Sequence, residues 1–299
     1  MATEKETHEP NLQMINGLPF SLMFRKDKIE EALNFQSQMG DVIIATYPKT
    51  GTTWMQYIVL QILTGGEDFP PFNDVLEKHV PYIDMVGVSA VEDLKTRPRA
   101  YKTHLPYNMM KTDPGSKVIY VYRKPEDTFV SFYHFMNNMM GNLNFDRYFE
   151  DFMRGFVSYG SYFEHILSYW NHRNERNMLL LSYEKLQADT RKEILGVAKF
   201  MGEEFYERLA SDQSIMDKIL LNTSFGHMQK NLKLVFPENP ARDNYSKDVP
   251  QKQVNFFRKG KVGDGKRHLS ETQLKRLKTL ATETLKGTDI LQEWYSNEE

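Results

Sequence analysis

The chain has 299 residues, 40% hydrophobic and 13% aromatic, enough apolar material for a sizeable core in one large domain or two fused ones. A formal net charge of -2 provides no whole-molecule field to gather nucleic acid, although a local basic patch stays open. The absence of cysteine excludes disulfides, thiolate chemistry and Cys-based metal sites, and the eight histidines form no HExxH or tight His/Asp cluster, so no structural metal is expected.

The N-terminal MATEKETHEPN is polar, without the basic region and apolar core of a signal peptide, and no run approaches about 18 apolar residues. A soluble, cytoplasmic protein with a flexible segment 1–15 is expected. Val42–Tyr47 (VIIATY) reads as a short buried strand, and Thr53–Thr64 as a buried helix ended by Gly65 and Gly66. Ala100–Thr103 is a weaker strand before HLP. Lys117–Tyr122 (KVIYVY) follows the turn DPGS as a second central strand, and Pro125 suits the first position of the helix that continues EDTFVSFYHFMNNMM. Tyr159–Asn171 reads as helix, Met178–Ser182 as a third buried strand, and Thr190–Met201, Glu204–Ala210 and Ser270–Lys286 as helices. Strands alternating with helices make this an α/β chain, with a parallel sheet covered on both faces.

From about Asn222 to Lys266 the periodicity fails. A connection this long is usually functional or disordered. It carries Lys247, Lys252, Arg258, Lys259 and Lys261, and reads as a lid or clamp ordered by an anionic ligand, with a solvated loop as the plainer reading.

The stretch Tyr47–Trp54, YPKTGTTW, lies between the first buried strand and its helix. Loop N–H groups and the positive end of the helix converge there on one point. Gly51 admits close backbone approach, Lys49, Thr50, Thr52 and Thr53 add donors, and Trp54 offers a stacking face. The stretch is not the GxxxxGK[ST] loop, because its lysine precedes the glycine and the loop is shorter. A plain turn with a Thr cap is the alternative. P-loop phosphoryl transferases also place an Asp on a neighbouring strand end to hold magnesium. Here KVIYVY ends in Arg123, with Glu126 and Asp127 beyond Pro125 and Ser131 on the following helix. The pattern predicts a phosphate-rich ligand handled without metal.

Lys102-Thr103-His104 ends another predicted strand, so His104 is expected to meet Lys49 and Arg123 at the carboxyl edge of the sheet. A histidine there can accept a hydroxyl proton. His79, His134 and His165 are expected to be ordinary partner-satisfied histidines.

YPKTGTTW, KTHLP, YVYRKPEDTFVSFYHF, LSYEKL, NTSFGHM and FFRKGKVGD resemble the ordered motifs of cytosolic sulfotransferases, from Tyr47 to Asp264. The resemblance implies one α/β domain over 1–299 with a P-loop-like sheet, and 230–266 as a long loop closing over the cofactor. It implies 3′-phosphoadenosine 5′-phosphosulfate (PAPS) as donor, adenosine 3′,5′-bisphosphate (PAP) as product, and no metal. By the same resemblance, Lys49, Thr50, Gly51, Thr52, Thr53 and Trp54 hold the phosphosulfate, with Trp54 against the adenine. Arg123 and Ser131 hold the 3′-phosphate. Tyr183, Thr223, Phe225 and Met228 line the adenine pocket. Phe256, Phe257, Arg258, Lys259 and Gly260 close over the 3′-phosphate. His104 matches the base and Lys102 the lysine beside it. The acceptor hydroxyl attacks sulfur in line, while Lys49 stabilises the departing phosphate.

Gly265 stands where the family carries a tryptophan, which leaves the packing of that lid edge open. The family's dimer motif, KxxxTVxxxE, aligns with KRHLSETQLK, where Ser270, Glu271 and Lys275 break it; a homodimer by that route is not assumed. Acceptor-pocket candidates are Phe20, Phe24, Tyr82, Met85, Val86, Tyr133 and Phe135, which suit a phenolic or catechol-like small molecule. Asp84 and Glu92 are expected to be solvated rather than partners for an amine. A magnesium- and ATP-dependent small-molecule kinase and a non-catalytic nucleotide-binding module are the rival classes.

Overall fold

The computed structural model describes residues 12–67, 69–237, 251–254 and 257–296. Leu12–Ile15 (β1) and Leu18–Ser21 (β2) pair antiparallel around Asn16 and Gly17, which have φ of 50° and 82°. An Asn-Gly pair with positive φ at both positions is the favoured two-residue hairpin turn. The expectation of a flexible 1–15 is therefore corrected for residues 12–15; residues 1–11 lie outside the described residues.

The centre is a four-stranded parallel sheet of Val42–Thr46 (β3), Ala100–Thr103 (β4), Lys117–Tyr122 (β5) and Met178–Ser182 (β6), in the order β4-β3-β5-β6. Every residue of β3 is buried, as a strand covered on both faces requires. Each Val or Ile fully removed from water there contributes about 1.5–3 kcal/mol relative to exposure. The helix Thr52–Thr64 follows β3 and is buried from Met55 to Ile62. Gly51 and Gly65, both left-handed, bound it. Pro125 opens the helix Pro125–Met140 directly after β5.

The register aligns the strand ends. Ala45 lies beside Thr103, Thr46 beside Val121, and Tyr122 beside Ser182. Tyr47, His104, Arg123 and Tyr183 therefore leave the sheet at one edge. The chain goes from β3 to β4 on one side and then crosses to β5 on the other, so the connections diverge at β3. That is where α/β sheets open a crevice.

The segment Asn222–Lys266 is less irregular than its composition suggests. Ser224 caps a helix Phe225–Asn231, and Leu234–Pro237 (β7) pairs antiparallel with Gln251–Val254 (β8). Two short strands, one ending in proline and the other bearing Lys and Gln, hide this hairpin from a periodicity reading. Lys247 lies outside the described residues, and Lys252 is known only as a backbone position of β8. YEKL, directly after β6, begins a helix Tyr183–Ala188. Within KRHLSETQLK, Ser270 caps the helix Glu271–Thr284 through a capping box with Gln273.

Candidate active site

Two cavities open at the strand ends and meet at Lys49 and Thr52, which line both. The larger, of about 350 Å³, lies on the loop after β3. Gly51 has φ 115°, and a β-carbon there would come within 2.9 Å of the Tyr183 ring, so only glycine fits. Lys49 also adopts a left-handed backbone, at φ 71°. Lys49, Gly51, Thr52, Thr53 and Trp54 line the cavity as expected, as do Arg123 and Ser131. Thr50 does not, and this corrects its expected role. Its hydroxyl donates at 2.9 Å to the carbonyls of Tyr47 and Val121, tying the loop to β5.

Tyr183, Thr223, Phe225 and Met228 form the far wall, and Phe257, Arg258, Lys259 and Gly260 the near one. Phe256 lies outside the described residues. Lys261, one of the cations of the expected clamp, also lines the cavity; Gln187 and Thr190 do so without having been predicted, and no charge or spacing pattern marks these two. Among the described residues, buried Thr53 Oγ1, Trp54 Nε1 and Arg123 Nε find no hydrogen-bond partner. Unmet buried donors are costly, and these fit a polar ligand. The residues present therefore fit a phosphorylated nucleotide.

Residues 257–265, part of the segment read above as a lid, rest on the core. Asp127, buried at the start of its helix, accepts from the N–H of Gly263 at 2.8 Å and of Gly265 at 2.6 Å. Gln187 donates to the Gly260 carbonyl at 2.5 Å. Gly265 is buried, and a β-carbon on it would lie 2.4 Å from the Glu126 backbone. Its lid edge is thus packed main chain to main chain, which answers the question left by the missing tryptophan. Arg258 and Lys259 sit on Asp264 at 2.6 and 2.8 Å and hold its carboxyl well below the usual range.

The smaller cavity, of about 80 Å³, ends at His104 and Lys102. His104 Nδ1 lies 2.7 Å from the Thr46 carbonyl. A carbonyl can only accept, so Nδ1 carries the proton and Nε2 keeps its lone pair. Burial, then the neighbouring Lys102, hold this imidazole well below its ordinary range and therefore neutral. Its carbonyl accepts from His165 Nε2 at 2.9 Å, and Tyr120 donates to His165 Nδ1 at 2.9 Å. His165 is partner-satisfied, as expected. The Lys102 ammonium lies 3.8 Å over the Tyr82 ring, and burial lowers it to about 7. Burial, reinforced by Lys102 and Arg123, also lowers Lys49 far below 10.5.

Asp84 corrects an expectation. It is fully buried, not solvated, and accepts from Thr103 Oγ1 at 2.6 Å, the His104 N–H at 2.8 Å and the Tyr159 hydroxyl at 3.0 Å. Burial raises its carboxyl to about 6 against these three donors. Tyr159 in turn shares a 2.7 Å hydrogen bond with Tyr82. Glu92 is exposed at the end of the helix Val88–Glu92, as expected.

Of the acceptor-pocket candidates, Phe24, Tyr82, Met85 and Phe135 line the cavity. Phe20 and Tyr133 do not. Phe20 packs behind it against Tyr159 at 5.2 Å, and Tyr133 turns away to donate to the Leu143 carbonyl at 2.9 Å. Val86, next to Met85 in the helix Ile83–Val86, is not a lining residue either. The helix Pro125–Met140 instead supplies Phe132, Phe135 and Met136, a stripe at i, i+3 and i+4. Positions 133 and 135 cannot share a helix face, so that spacing was a readable signal. Among the described residues no carboxylate lines this cavity.

An open α/β sheet with an anion cradle at its switch point, a neutral buried imidazole and two buried lysines defines a group-transfer enzyme acting on an anionic donor. The family model described as Sulfotransferase domain matches residues 39–289. The chain belongs to the cytosolic sulfotransferase family and is a transferase of that kind. It is 34% identical to mouse Sulfotransferase 1B1 over 97% of both chains, and 33% identical to human Sulfotransferase 1C2 over 88% of this chain and 89% of that one. It also resembles the crystal structure of mouse sulfotransferase SULT7A1 complexed with PAP, at a TM-score of 0.74 and 27% identity, covering 95% of this chain and 98% of that one.

Proposed function

We propose that this protein is a cytosolic enzyme moving the sulfuryl group of PAPS to the hydroxyl of a small phenolic or catechol-like acceptor. The observation that carries the reading is that the smaller cavity is lined both by His104, whose Nε2 is left free to accept a proton, and by Lys49, which also lines the nucleotide cavity. PAP bound to a structural neighbour, together with the unmet donors of Thr53, Trp54 and Arg123, supports the nucleotide. No helix among the described residues is long and apolar enough to cross a membrane.

Bound, PAPS supplies an activated sulfuryl group on a phosphate leaving group. Lys49, Gly51, Thr52, Thr53 and Trp54 would hold the phosphosulfate, Arg123, Ser131, Arg258 and Lys259 the 3′-phosphate, and Tyr183, Thr223, Phe225 and Met228 the adenine. The acceptor ring lies among Phe24, Phe132, Phe135 and Tyr82. His104 Nε2 takes the hydroxyl proton, a role contributing about 10²–10⁴ in rate. Lys102, lowered to about 7 by burial, and Lys49, also lowered by burial, gain a proton beside anionic charge and stabilise it. The apolar walls favour neutral acceptors over amine-bearing ones.

Labelled PAPS with a panel of simple phenols, catecholamines, steroids and primary alcohols, with and without EDTA, is the test. Label is expected on simple phenols first, undiminished by EDTA. Loss of transfer in EDTA would overturn the metal-free reading, and label from ATP but not PAPS would restore the kinase reading, which Arg123 at the end of β5 disfavours.

A further inference from the structure

Two segments far apart in the chain roof the acceptor cavity. Phe72 and Leu76 enter it from a short helix, Phe72–Asp74, and a π-type turn, Val75–His79; Leu234 enters from β7. All three are at most 4% exposed, so the roof is shut. π-type turns are rare and cluster at functional sites.

Asn73 does not line the cavity, yet it joins these segments. Its Nδ2 donates to the Val235 carbonyl at 3.0 Å, and its Oδ1 accepts from the Val235 N–H at 3.3 Å. In an antiparallel pair, alternate residues point both main-chain groups away from the partner strand. Val235 is such a residue, opposite Gln253, and its two groups face the edge that β8 leaves uncovered. The Asn73 amide occupies that edge as a strand would, satisfying donor and acceptor together. Two bonds to one residue fix both the distance and the register of β7, and so the place of Leu234 next to it.

We propose that Asn73 is a positioning residue that sets the size of acceptor admitted, by clamping β7 to the turn carrying Phe72 and Leu76. With the clamp closed the cavity takes small, flat aryl alcohols and rejects bulky ones. The proposal rests on the phenolic reading above and deepens it. Two ordinary hydrogen bonds correspond to roughly a tenfold bias or more toward the closed roof.

The test compares wild type with Asn73→Ala and Asn73→Asp at saturating PAPS, on a series of 4-alkylphenols of increasing bulk. Both variants lose the bond to the Val235 carbonyl, and both are expected to raise the kcat/KM ratio of bulkiest to smallest phenol by about tenfold. PAP affinity, checked in parallel as a measure of intact folding, is expected to stay within about twofold, because Asn73 is outside the nucleotide cavity. A ratio unchanged in both variants overturns the clamp. If wild type takes no phenol, the acceptor reading falls, and the clamp is judged on the main chain instead. Deuterium exchange across residues 232–237 is then expected to quicken about tenfold in Asn73→Ala, and equal exchange overturns the proposal.

Discussion

His104 can offer Nε2 to the acceptor because Nδ1–H is spent on the Thr46 carbonyl, and the ring stays in place because Asp84 holds its main-chain N–H. His104→Ala is expected to lower kcat by about 10²–10⁴ while PAP affinity stays within about twofold, as steady-state rates and calorimetry would show. Near-normal turnover would remove His104 from its role. Asp84→Asn keeps the volume but turns an NH₂ toward at least one of three donors, leaving a buried clash. A fall in kcat of about tenfold or more is expected, again with PAP affinity kept. His104 was legible because KTHLP follows a strand and so falls at a strand end. Asp84 was not, because a lone carboxylate in PYIDMV looks solvated until the helix Ile83–Val86 is seen packed beside β4.

The lid is held by main-chain contacts, which tolerate no added bulk. At Gly265 a methyl group would meet the Glu126 carbonyl at 2.4 Å, and backbone cannot swing aside as a flexible side chain can. Gly265→Ala is therefore expected to weaken PAP binding by about tenfold or more, with the far-UV spectrum unchanged because the sheet lies elsewhere. Equal PAP affinity would mean that lid edge does not bear on the nucleotide. Buried elements were the readable ones. β4, β5 and β6 fall at their predicted bounds; β5 and β6 are short, mostly apolar runs between turn signals, and the weaker β4 is marked by the HLP that follows it. The β7–β8 hairpin escaped, because LVFP and QKQV are short, and one carries a proline while the other is polar. The lid cations showed in the sequence as a charge cluster, but their pairing with Asp264 depends on folding.

At the scale of the molecule, a chain with net charge -2 encloses a cationic centre. Lys102 titrates near 7 instead of 10.5, and Lys49 also lies well below 10.5, each mainly through burial. An anion raises both, so nucleotide binding is expected to take up protons, and affinity to fall as pH rises from about 7 toward 10. Calorimetry in buffers of different ionisation enthalpy reads this directly; affinity flat from pH 7 to 9 would contradict it. Without ligand the sign for stability follows from the same groups. The unfolded lysines bind more protons than the folded ones between about 7 and 10.5, so the bare protein gains stability as pH rises through that window. The positive φ of Lys49 extends the point to durability. A left-handed backbone costs a side-chain-bearing residue about 1 kcal/mol that glycine does not bear. Lys49→Gly should then melt about 2 °C higher while making no product, so heat resistance and turnover oppose each other at this one position.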